Sequence, residues 1–132
     1  MIVNMKMFEE IRSLMGPRLI STIGYFREDG DVSVAAIETA LRSGDASGMV
    51  VPAHTLKTEA RQLGAEDLGE LCLQIEQGAR RCVEIHEGPD DLLVPVAKLR
   101  PLFRETLEIF ERETNPLKTR PAKQAGFGRA GA

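Results

Sequence analysis

The chain has 132 residues, 42% hydrophobic but only 5% aromatic and without tryptophan, which suits one domain with an aliphatic core. Its net charge of −3 divides unevenly, +4 in residues 115–132 and −7 in residues 1–114, and so acidic a body argues against nucleic acid as the main partner. No apolar run approaches the roughly 20 residues of a membrane span, no signal segment is recognised, and Cys72 and Cys82 fit no metal spacing, so a reduced, cytoplasmic protein is expected.

Along the chain the apolar residues recur every three or four positions, the helical period. Met5 to Met15 places Phe8, Ile11, Leu14 and Met15 in that register, and Gly16-Pro17 stops it. Pro17 suits the first position of a second helix, to Glu28, with Leu19, Ile20, Ile23 and Phe26 on one side. Glu28-Asp-Gly-Asp31 is predicted to turn, with Asp31 capping a third helix that aligns Val34, Ile37 and Leu41 and closes at Gly44-Asp45. The next helix contains Pro52, which deep inside a helix costs about 3 kcal/mol. Either it begins only a few residues earlier, near Ser47 to Met49, or it kinks. Gly64 ends it. Glu66 to Glu87 forms a long amphipathic helix with Leu68, Leu71, Cys72, Ile75, Ala79 and Cys82 as its apolar stripe, the cysteines being core residues. Gly88-Pro89-Asp90 breaks that run, and Asp91 to Thr114 is the last helix, with Pro95 near its first turn and Pro101 placed to bend it.

No segment alternates with period two. The predicted class is therefore all-α: an antiparallel four-helix bundle with one or two additional N-terminal helices, spanning residues 1–114. Residues 115–132 combine proline, glycine and cations without periodicity and read as a flexible basic tail.

His54 is the residue that asks for a chemical explanation. On a helix of 100° per residue, Ala53, Leu56, Ala60 and Leu63 share one side, while His54, Lys57, Thr58 and Arg61 share the other. Val50 and Val51 join the His54 face if the helix reaches back that far, and apolar residues beside an outward histidine suggest a docking patch. A neighbouring cation such as Lys57 disfavours the imidazolium, keeps a nitrogen lone pair available and favours an arriving anionic group. A hydrolase is not indicated: no concave pocket, no partner carboxylate close to His54 and no serine or cysteine nucleophile beside it is legible. The bland alternative is a solvated helix face, and His86 receives that reading, as a histidine at the charged end of the long helix.

The stretch from Ala53 to Arg80, AHTLKTEARQLGAEDLGELCLQIEQGAR, resembles the signature of the histidine-containing phosphotransfer (Hpt) domains of bacterial two-component phosphorelays. That family carries an Ala-His-x-Leu-Lys-Gly-like run, a Leu-Gly-Ala step, and a leucine-rich helix ending in a Glu-x-x-Ala-Arg-like stretch. Here Ala53, His54, Leu56, Lys57, Leu63, Gly64, Ala65, Leu68, Leu71, Cys72, Ile75, Glu76, Ala79 and Arg80 supply it, and the upstream Ala-Leu-Arg-Ser-Gly-Asp matches the family's lead-in. The likeness extends over roughly residues 5 to 110. It implies that His54 is the phosphoryl acceptor and Lys57 the cation that stabilises the phosphoryl group, with Val50, Val51, Thr58 and Arg61 on the partner-docking surface. Thr58 departs from the pattern, standing where the family has glycine or another small residue. It either narrows the choice of partner or offers its hydroxyl to the phosphoryl oxygens.

The resemblance further implies a relay between the aspartate receiver domains of a hybrid sensor kinase and of a response regulator, without ATP-dependent kinase activity in this chain. No cofactor or metal is expected on the chain, the Mg²⁺ belonging to the partner receiver domain. A monomer that touches neither nucleic acid nor membrane is expected. The rival readings are a helical adaptor that docks a receiver domain without exchanging phosphate, and a fragment of a kinase dimerisation-and-phosphotransfer domain. The latter commonly carries an acidic residue directly after its histidine, where this chain has Thr55.

Overall fold

The structure, a computed structural model, describes residues 1–115; the basic stretch beyond Asn115, and with it most of the expected tail, lies outside them. Five helices appear, α1 (Met5–Met15), α2 (Arg18–Arg42), α3 (Ser47–Gln62), α4 (Glu66–Glu84) and α5 (Leu93–Thr114), with a 3-10 turn at Asp90–Leu92 and no strand among the described residues. Helices α2 to α5 close a ring, each packed on the next and α5 back on α2. This is the expected four-helix bundle with one additional N-terminal helix. Val34, Ile37, Met49, Leu56, Leu68, Ile75 and Leu99 fill its interior, none of them exposed. Helix α1 lies across one end, where Phe8 stacks on Phe110 at 5.3 Å and Phe26 meets Phe110 edge-on at 5.7 Å. Two side chains assigned to apolar stripes are instead largely exposed, Leu14 and Ile20.

The predicted turn at Glu28–Asp31 does not form, and the second and third predicted helices are one helix, α2. The buried residues Leu19, Ile23, Phe26, Gly30, Ser33, Val34 and Ile37 keep one phase through that point. Gly30 lies on the buried stripe because α5 passes too close for a side chain: a Cβ there would sit 2.4 Å from Phe103 Cε1. Asp31 caps nothing. Its carboxylate accepts from Arg100, whose guanidinium also grips Glu38 in a bidentate pair, tying α2 to α5. Alanine in place of an exposed helical glycine stabilises by about 1 kcal/mol. Gly30→Ala is expected to do the reverse, lowering stability by about 1–3 kcal/mol because the ring of Phe103 has to move. A urea midpoint equal to or above that of the parent chain would show that α2 and α5 stand farther apart than this.

Helix α3 begins at Ser47, the first of the two alternatives for Pro52, which is then the sixth helical residue. Asp45 organises that start, its Oδ1 accepting from the Gly48 amide at 3.0 Å and from the Ser47 hydroxyl at 2.9 Å. Gly64 closes the helix in the left-handed region at φ 80°, and its carbonyl accepts from the Asn4 amide, anchoring the N-terminal segment to the α3–α4 turn. Helix α4 ends at Glu84, three residues earlier than expected. His86 lies outside the helix with φ 56°, and the Glu87 amide reaches back to the Cys82 carbonyl, so this histidine serves as the left-handed residue of a helix stop. Helix α5 starts at Leu93, two residues later than expected, and continues through Pro101 to Thr114. None of the described helices is long and apolar enough to cross a membrane.

Candidate functional site

The middle of α3 and the second half of α4 build the site. Ala53, Leu56 and Ala60 are fully buried against the bundle, which turns His54 outward with 56% of its side chain exposed. Across from it, Glu76 on α4 is buried, with 5% of its side chain exposed. Its position explains this: Cys72, Ile75 and Ala79 surround it in the apolar stripe, so the carboxylate emerges only where polar groups of α3, and Arg80 one turn along α4, reach it.

Three polar groups meet it, two from α3 and one from α4. Lys57 Nζ donates to Glu76 Oε1 at 2.6 Å. Arg80 Nη2 donates to Oε2 at 2.8 Å, and His54 Nδ1 lies 2.9 Å from the same oxygen. Burial alone would push the Glu76 carboxyl up, but the bonds from Lys57, Arg80 and His54 outweigh it and hold the group down at about 2. Glu76 is therefore an anion at neutral pH and acts only as an acceptor. Nδ1 must then carry the proton it donates, and in the neutral ring Nε2 keeps the lone pair. Since the ring is pinned through Nδ1 at a surface position, Nε2 is the nitrogen that remains for chemistry.

The sequence expectation that no partner carboxylate stands close to His54 is corrected here. A carboxylate does stand beside His54, from a residue 22 positions later in the chain. The bland alternative of a solvated face does not describe Lys57, since only 13% of its side chain is exposed and its ammonium is bound to Glu76. Glu76 and Arg80 were legible as parts of a motif but not as parts of a site. The available signal was an acidic residue inside an apolar stripe, which burial requires to be paired.

The other candidates share the face with different environments. Thr58 is exposed, and its hydroxyl donates to the His54 carbonyl at 3.1 Å. Arg61 is exposed at its end while its stem crosses α4 at Gly69, where a Cβ would come within 3.0 Å of Arg61 Cγ. Val51 is 71% exposed, while Val50 packs partly onto the core. Nor is the face without concavity: an open cleft of about 310 Å³ adjoins it, lined by Ser47, Val50, Arg80, Val83 and Glu84. Cys72 is no nucleophile, because burial first and the nearby Glu76 charge second push its thiol up to about 12. No three His, Cys, Asp or Glu side chains gather as a metal site among the described residues.

The arrangement offers a positioned, outward nucleophilic nitrogen in a cluster where two cations face one anion, leaving it net positive towards an arriving anion. Comparison with known proteins gives three findings. The family model of the Hpt domain matches residues 21–111. The crystal structure of histidine-containing phosphotransfer protein B (HptB) from Pseudomonas aeruginosa PAO1 superposes with a TM-score of 0.73 at 20% identity, covering 85% of this chain and 93% of that one. No curated protein matches the chain by sequence.

Proposed function

This chain belongs to the Hpt domain family, and we propose that it relays a phosphoryl group through His54 between the aspartate receiver domain of a sensor kinase and that of a response regulator. The observation that carries the reading is the imidazole pinned through Nδ1 by the buried Glu76, which leaves Nε2 outward with its lone pair. In the forward step Nε2 attacks the phosphorus of an aspartyl phosphate. The N–P bond forms as the bond from phosphorus to the aspartate oxygen breaks, and the released electron pair returns to the aspartate as its carboxylate. The ring becomes cationic in the product, and the Nδ1–H···Glu76 contact places a negative charge on that cation. The second transfer reverses these events on another aspartate. No proton changes hands in either direction, so the site needs no general base.

Lys57 and Arg80 hold Glu76 in place and supply the positive field that favours the incoming phosphoryl oxygens. Val50, Val51, Thr58 and Arg61 border His54 on the docking face. The Mg²⁺ that aspartyl-phosphate chemistry uses falls to the partner domain.

The decisive experiment incubates the purified full chain with phosphorylated receiver domains and, separately, with ATP and Mg²⁺ alone. The expected result is acid-labile phosphate on the chain in the first case, reversible on adding unphosphorylated receiver, and none in the second. The ATP arm follows because the described helices contain no phosphate-cradling loop between a strand and a helix. Label from ATP alone, with contaminating kinase excluded, would remove the relay reading. Stable binding to receivers without any label would favour the non-catalytic adaptor instead.

A further inference from the structure

His54 and Thr58 are four residues apart on the exposed side of α3, a spacing that makes side chains neighbours on a helix. Thr58 nevertheless keeps its hydroxyl from the surface, bonding it back to the His54 carbonyl at 3.1 Å. A threonine held in this way has its χ1 fixed by the bond, and the group it leaves on the surface is its methyl. The outer nitrogen of His54 is thus bordered differently along the helix: Val50 and Val51 lie one turn before it, and a methyl lies one turn after.

Resting on the phosphotransfer reading above, we infer that Thr58 is a specificity-determining residue, whose methyl group selects which phosphorylated receiver domains bring their aspartyl phosphate within reach of His54 Nε2. Transfer requires the phosphorus to come to about 3–3.5 Å from the nitrogen. The phosphoryl group arrives on the surface of a folded domain, so the segments flanking the partner's aspartate must descend onto α3 around His54. Thr58 lies about 6 Å along the helix from it, at 1.5 Å per residue, inside that footprint. A fixed methyl there accepts a glycine or alanine on the partner and holds off a larger side chain, and a misplacement of about 1 Å can cost about 100-fold in rate. The hydroxyl has no such outward role, because serving the phosphoryl group would break its bond to the helix.

The test measures single-turnover transfer from a panel of phosphorylated receiver domains to the full chain and to three variants. Thr58→Ser keeps the hydroxyl and removes the methyl, Thr58→Val keeps the methyl shape and removes the hydroxyl, and Thr58→Ala removes both. Ser and Ala are expected to raise the slow partners by about tenfold relative to the fastest, and Val to keep the parent ranking. Thermal melts confirm that each variant folds, which an exposed position favours. Rates that collapse in Val and survive in Ser would assign the hydroxyl to the phosphoryl group and overturn the inference. So would a ranking unchanged in all three. A parent chain that accepts phosphate from no receiver is a different outcome, defeating the phosphotransfer reading and this inference together.

Discussion

His54→Gln is expected to abolish phosphoryl labelling while leaving the thermal melt nearly unchanged. Both halves come from the same geometry. On the proposed relay, labelling is lost entirely because Nε2 of this ring is the attacking nitrogen and glutamine has no nucleophile to replace it. Stability is retained because the side chain is more exposed than buried and fills no part of the core. The buried Glu76 keeps Lys57 and Arg80 after the substitution, so no charge is left unpaired. An exposed substitution of this kind shifts stability by about 0.5 kcal/mol. His86 is the other histidine of the chain, exposed in the stop after α4. Label that persists in the variant, or that maps to His86, would falsify the assignment of His54.

The bundle was legible wherever apolar period and punctuation agreed. Helices α1 and α3 run where their periodic residues and their Gly-Pro or glycine stops place them, and α4 and α5 differ from expectation only by two or three residues at one end. The failure at Glu28–Asp31 has a physical cause: Asp-Gly is a turn signal only when the chain is free to turn. There the phase of the buried residues continues, and the glycine answers the close approach of Phe103, a long-range fact no local rule contains. The site divides in the same way. His54 and its outward direction follow from the period of α3. That Lys57 is largely buried, and that a carboxylate stands under both, depends on α4 packing against α3 in one register. An acid between Cys72, Ile75 and Ala79 demands a partner; Arg80 stands one turn away on the same helix, but the other two partners lie 19 and 22 residues away and only the fold selects them.

Glu76 carries the largest expected effect on stability. Glu76→Leu should fill the volume and strand the ammonium of Lys57 in a largely buried position without its counter-ion. Breaking a buried pair from one side costs about 3–5 kcal/mol; the lower end is expected here, because Arg80 is exposed and the lysine stem can carry its charge to water. Glu76→Gln separates shape from charge. Its carbonyl can still accept from His54 Nδ1, so the ring keeps its tautomer, but the two cations lose their anion and the cationic product ring loses its compensating charge. Transfer should slow by about 10- to 100-fold while the fold persists. Acid provides an independent reading of the same group. The Glu76 carboxyl is depressed in the folded chain, from 4.5 to about 2. A depressed carboxyl contributes stability that is fully present above its unfolded value and is lost as pH falls, so this contribution holds above about pH 4.5 and drains away towards pH 2. Its size is on the order of 3 kcal/mol at neutral pH. Urea midpoints measured at pH 7, 4 and 2.5 should therefore fall more steeply for the parent chain than for Glu76→Gln, the difference isolating this one carboxyl from the others that titrate in the same range. Parallel acid limbs in the two proteins would mean that Glu76 is not held ionised by Lys57, Arg80 and His54, and the pinning of the imidazole would lose its support.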